Sequence, residues 1–95
     1  QGAIVRKNQL NGNLGTGIGV LDSAETLIEG NTVRKTQKST YRADAGLLVK
    51  NSTGTTVQDN TIVDNQGYGA YLWSSEVDMT SNQIERNAQG DLYRR

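Results

Sequence analysis

Side chains able to grip a ligand are few in this chain. Its five aromatic residues are Tyr41, Tyr68, Tyr71, Trp73 and Tyr93, and charged neighbours accompany them at Arg42, Asp44 and Lys50. Aromatic rings stack on the C–H faces of sugar rings, while cations and carboxylates bind hydroxyl or uronate carboxylate groups. These eight residues form the candidate substrate-binding set, with a polysaccharide or oligosaccharide as partner. The competing reading is packing, with Tyr71 and Trp73 lying beneath loops or against another chain.

Other chemistries find less support. The sequence has no cysteine, histidine or proline, which removes disulfides, thiolate sites and imidazole ligands and leaves only carboxylate or carbonyl coordination. No equivalent position carries two acids, so a calcium cluster is not indicated and no cofactor is expected. Asp22, Asn51 and Ser74 could supply such a site only with ligands from elsewhere. Ten basic and ten acidic residues cancel to zero formal charge, unlike the basic footprint of a nucleic-acid or membrane-surface binder. No apolar run approaches the ~18 residues of a membrane span. The G-T-G-I-G run at Gly15 to Gly19 looks like a phosphate loop, but a strand pattern follows where a helix would be needed. Spacing nominates no carboxylate pair at the ~5 to 9.5 Å a glycosidase requires. Asn51-Ser52-Thr53 matches a glycosylation sequon.

The elements that must position the aromatic residues are repeats. Three segments starting at Gly17, Gly46 and Gly69 run through alternating apolar residues to Asn31, Asn60 and Asn82. Each is followed by a similar tail: T-V-R-K-T from Thr32, T-I-V-D-N from Thr61 and Q-I-E-R-N from Gln83. An earlier V-R-K-N at Val5 to Asn8 matches V-R-K-T at Val33 to Thr36, giving spacings of 28, 29 and 22 residues along Val5, Val33, Ile62 and Ile84. Within a unit, Ile18 and Val20, Leu47 and Val49, and Ala70 and Leu72 sit two apart, as in strands with one buried face. A second strand carries Thr26 and Ile28, Thr55 and Val57, and Val77 and Met79; a third carries Val5, Val33, Ile62 and Ile84. Three short strands per turn, punctuated by Gly and Asn, predict an all-β right-handed parallel β-helix, a solenoid of about three and a half coils of 22–29 residues. Asn31, Asn60 and Asn82 are expected at one turn, and Asn8, Asn65 and Asn87 at another with Thr36 as the exception, tolerating left-handed backbone and stacking into ladders.

The recurrent G-I/L-x-V/L followed by I/V-x-x-N-x-I/V-x-x-N, from Gly17 to Asn87, resembles the parallel β-helix repeats of the pectate-lyase superfamily. It is particularly similar to NosD-like carbohydrate-binding and sugar-hydrolase repeats and to alginate C5-epimerase modules. The resemblance implies a polysaccharide-binding or polysaccharide-modifying protein in an extracellular or periplasmic setting. Were it enzymatic, the implied chemistry is proton abstraction at a uronic acid, with Lys50, Arg42 and Tyr71 nearest to hand. The enzymes' own marks, a proline-flanked arginine pair and an Asp-Pro-His-Asp motif, cannot be carried over to a chain without proline or histidine. The other reading is a structural or interaction solenoid, such as an adhesin, a phage fibre or a NosD-like maturation factor, contacting further coils of its own or another chain.

Register places the aromatic residues. Gly19, Leu48, Tyr71 and Tyr93 should stack in one outward column and Leu21, Lys50 and Trp73 in the next, with Tyr68 beside them and Gln37 to Ala45 as the longest loop. Gln9 to Thr16 reads as a turn insertion, and Lys7, Lys35, Asp64 and Arg86 as a charged column. A threonine array fails because Gln83 follows Thr32 and Thr61. The whole of residues 1–95 is expected to be a single solenoid segment of a longer protein, since neither end shows a cap.

Overall fold

The computed structural model describes residues 4–12, 15–37 and 45–94. Among them the chain forms β1 (Ile4–Arg6), β2 (Gln9–Asn11), β3 (Thr16–Leu21), β4 (Leu27–Glu29), β5 (Thr32–Arg34), β6 (Ala45–Lys50), β7 (Thr55–Gln58), β8 (Thr61–Val63), β9 (Tyr68–Trp73), β10 (Val77–Thr80), β11 (Gln83–Glu85) and β12 (Gly90–Arg94). Every third strand joins the same sheet, in the orders β1-β4-β7-β10, β2-β5-β8-β11 and β3-β6-β9-β12. All pairs are parallel. The result is a right-handed parallel β-helix, and its core is a stack of single residues per coil. Ile18–Leu47–Ala70 and Val20–Val49–Leu72 line one wall, Ile28–Val57 the second, and Val33–Ile62 the third, all buried.

The corners explain why the chain coils. At each, one residue takes left-handed backbone with φ between 51° and 78°: Lys7, Gly30, Asp59 and Ser81; Gly12, Lys35, Asp64 and Arg86; and Asp22, Asn51 and Ser74. The ladder asparagines do not adopt that conformation. They follow it, and the side chains of Asn31, Asn60, Asn65 and Asn87 are buried and donate Nδ2 to a backbone carbonyl of the preceding coil. Asn8, Asn31 and Asn60 each donate backbone N–H and Nδ2 to Oδ1 of the next ladder residue, Asn31, Asn60 and Asn82, at 2.8–3.1 Å. A second ladder runs from the Thr36 amide to Asn65 Oδ1 at 3.0 Å and from Asn65 N and Nδ2 to Asn87 Oδ1 at 3.1 and 2.8 Å.

The first coil departs from the sequence reading. Val5 pairs with Ile28 and Asn8 bonds Asn31, so Val5, Lys7 and Asn8 belong one strand earlier than their likeness to Val33, Lys35 and Thr36 suggested. Gln9–Asn11 is strand β2, with Leu10 against Val33, and not a turn insertion. Lys7 thereby leaves the column of Lys35, Asp64 and Arg86. The misalignment has a physical source: both corners use one four-residue device, an inward apolar residue, an outward one, a left-handed one, then an inward ladder residue. I-E-G-N at Ile28 and V-R-K-T at Val33 are equally good templates for V-R-K-N, and residue identity favoured the wrong one.

A third ladder, of serines, runs along the remaining corner. Ser23 and Ser52 donate their amides to Oγ of Ser52 and Ser75 at 3.1 and 3.0 Å, and all three hydroxyls donate back to the carbonyl two residues earlier. Aligned L-D-S, K-N-S and W-S-S carry its signal. In the core, Thr26 and Thr55 bury hydroxyls that have no partner.

These two kinds of buried polar residue should respond oppositely. Asn60→Ala orphans donors on Asn31 and the carbonyl of Ile28, and should cost about 2–4 kcal/mol in urea unfolding, whereas Thr55→Val, next to Val77, should be neutral or stabilise by about 1 kcal/mol. Equal losses from both would contradict the ladder assignment.

Candidate functional site

The sheet of β3, β6, β9 and β12 does not alternate strictly. Gly69 faces inward, because an added Cβ would lie 2.6 Å from both Asn87 Nδ2 and Ile84 Cγ2, and the next residue, Ala70, is buried inside as well. The strand therefore bends at Gly69. That bend brings Tyr68 and Tyr71, three residues apart, to the same outer surface, with ring centroids 5.6 Å apart edge to face. Gly46 occupies the same position one coil earlier, where a Cβ would meet Ile62 Cγ2 at 2.7 Å.

Around this bend the structure gathers five of the eight sequence-predicted site residues. Tyr93 stacks one coil beyond Tyr71, as the register requires, with centroids 4.8 Å apart, and lies 5.1 Å from Tyr68 in a near-parallel stack. Trp73 lies 6.3 Å from Tyr71. Lys50, the residue paired with Trp73 in the preceding coil, holds Nζ 4.6 Å from the indole centroid, a cation–π contact that contributes about 0.5–1 kcal/mol at such a surface. Tyr68 also lies over Gly90, where a Cβ would meet its ring at 3.5 Å. The other three, Tyr41, Arg42 and Asp44, fall outside the described residues.

Burial divides the group into a base and a surface. Tyr71 is only 7 % exposed despite pointing outward, because Tyr68, Tyr93 and Trp73 surround it. Tyr68, Trp73, Tyr93, Leu48 and Lys50 are half-buried and offer what surface remains, flanked by the exposed Leu21 above Lys50. The arrangement is a small apolar platform with one ammonium at its side. It can stack flat ligands and attract an anionic substituent. Among the described residues no three Asp or Glu side chains are grouped to hold a metal ion.

The ion pairs lie on the other two walls. Arg86 donates to Asp64 Oδ1 at 2.9 Å and to Glu85 Oε2 at 2.8 Å, all exposed; Arg6 pairs likewise with Glu29 at 3.1 Å. The Arg86 hydrogen bond, helped by the charges of Arg86, Arg34 and Lys35, holds the Asp64 carboxyl below the usual aspartate range.

Three wound parallel sheets, cornered by left-handed residues and tied by inward ladders, define a solenoid. The family model for the right-handed beta helix region matches residues 1–94. The chain belongs to that family. Neither the curated proteins nor the solved structures gave a match.

Because the Asp64 carboxyl is depressed, its pairing with Arg86 is fully present above the unfolded carboxylate value and is lost only as pH falls through the lower folded one. Carboxyl-detected NMR titration should show Asp64 titrating below ordinary aspartate, and Arg86→Gln should move it back up. An unchanged midpoint in that variant would remove Arg86 as the cause.

Proposed function

We propose that the chain is a glycan-binding stretch of β-helix, with Trp73, Tyr68 and Tyr93 as the stacking surface, Lys50 beside them for an acidic or hydroxyl group, and Tyr71 as the base beneath. The observation that carries this reading is the convergence of four of the chain's five aromatic residues on one outer wall around the Gly69 bend. Sugar rings present apolar C–H faces matched to such a platform, and stacking of this kind tolerates the extended shape of a polysaccharide lying along the coils. Outer positions on the other two walls carry no aromatic residue among the described strands: one has the columns Arg6–Glu29–Gln58 and Ile4–Leu27–Thr56, the other Thr32–Thr61–Gln83. An extracellular or periplasmic setting, where polysaccharides are met, goes with this reading.

A second reading rests on the near-complete burial of Tyr71. A ring cluster that packs on itself also suits a structural solenoid, in which the same wall meets another chain.

Intrinsic fluorescence separates the two, since Trp73 is the sole tryptophan. Titration with polyuronate and with neutral oligosaccharides should give a saturable change. It should be weakened for polyuronate alone in Lys50→Met, and the heat of glycan binding in titration calorimetry should be lost in Trp73→Ala, which removes the fluorophore, with far-UV circular dichroism unchanged in both. No change with any glycan at millimolar concentration would leave the wall as a packing surface.

A further inference from the structure

The Trp73 indole, the stacking residue of the proposed platform, is covered on one face by the protein itself. Lys50 holds Nζ over the ring, 4.6 Å from its centroid. Register brings the two together: parallel pairing sets Lys50 of β6 opposite Trp73 of β9, so their side chains leave the same wall about 4.8 Å apart. The flexible four-carbon stem of a lysine spans that gap and lays the ammonium on the ring. Around Lys50 the outer wall is aliphatic, with Leu48 two residues back on the same strand and Leu21 paired with Lys50 from the preceding coil. Among the described residues no carboxylate pairs with Lys50, since the ion pairs join Arg6 to Glu29 and Arg86 to Asp64 and Glu85. Its charge is answered by the indole.

This contact treats two kinds of sugar differently. A sugar ring stacks by laying its C–H face on an aromatic face, and here the lysine head already lies on one. A neutral sugar that takes this face must lift the ammonium off and offers it no counter-charge. The lost cation–π attraction lowers its affinity about two- to fivefold. An acidic sugar lifts the same ammonium and then receives it on its carboxylate, in a charge-assisted hydrogen bond that offsets the loss.

We propose that Lys50 is a selectivity latch: it rests on Trp73 until the carboxylate of an acidic sugar draws it off, so the wall rejects neutral glycans by masking the indole as well as favouring acidic ones by attraction. The inference rests on the glycan reading above and names the class of glycan that the same wall takes. A lysine standing clear of the ring would attract acidic sugars and leave neutral ones unopposed. A lysine that served only to pack on the indole would give the reverse result, since its removal would loosen the wall and weaken both kinds of ligand.

Titration calorimetry with an oligouronate and with the same oligomer methyl-esterified, two ligands that share a ring shape and differ in charge, tests the latch. It is run on the wild-type chain, Lys50→Ala and Lys50→Met, with far-UV circular dichroism to verify the fold. Lys50→Ala bares the indole face and should tighten binding of the ester about two- to fivefold. The oligouronate should gain nothing comparable, because the cation that received its carboxylate is gone, and the preference for the acid collapses. Lys50→Met keeps a stem over the ring and should tighten the ester less than Lys50→Ala does. In NMR spectra of the wild-type chain, which read the latch whatever the variants do, the Lys50 ε-methylene protons should stand upfield under the indole ring current and move downfield on saturation with oligouronate. Ester affinity unchanged or lowered in a folded Lys50→Ala would overturn the latch and leave the glycan reading intact, as would ε-methylene protons that stay upfield in the saturated complex. Absence of binding by either oligomer to all three proteins would overturn the glycan reading, and the latch with it.

Discussion

The structure depends on one hydrogen bond, repeated: a backbone amide at a corner donating to a side-chain oxygen in the next coil. A corner must leave the strand direction, so its amide cannot reach the carbonyl a straight ladder would offer, and buried it would be costly to leave unpaired. Asn31, Asn60, Asn82, Asn65 and Asn87 answer this by lending Oδ1 to the coil before them. Serine does the same work at the third corner with Ser52 and Ser75. Since Asn31 and Asn60 each bond the coil before and the coil after, neighbouring coils are locked in register.

Register then carries the aromatic wall. Inward glycine is needed wherever the ladder side chain passes under the third-sheet strand, and two successive inward residues follow, Gly69 and Ala70. The interruption of strict alternation is what sets Tyr68 beside Tyr71, with Tyr93 one coil on. The platform is thus a consequence of the ladder's need for space, and Tyr71 is its buried foundation and not its contact surface.

Much of this was legible in the sequence, and the failures are instructive. The columns Leu48–Tyr71–Tyr93 and Lys50–Trp73 follow from period-two patterning and the spacing of the glycines, and the structure pairs them so. The alignment of Val5 to Asn8 was wrong because one corner device serves two corners, and only three-dimensional pairing tells them apart. Left-handed backbone falls to Asp22, Asn51, Asp59 and Asp64, which tolerate it, but also to Lys7, Lys35 and Arg86, which have no preference for it; at those three the demand comes from closing the coil, a tertiary constraint invisible in local propensity. The serine ladder was hidden for another reason: serine is common at any turn.

Amide hydrogen exchange tests most directly whether the ladders hold the coils together. The amides of Asn31, Asn60 and Asn65, which bond only to side-chain oxygens, should exchange as slowly as those of the core strand residues Ile28, Val57 and Ile62, opening with the whole molecule. Exchange at the three asparagines orders of magnitude faster than in those strands would show that the corners open independently, and that the ladders decorate the β-helix without holding it.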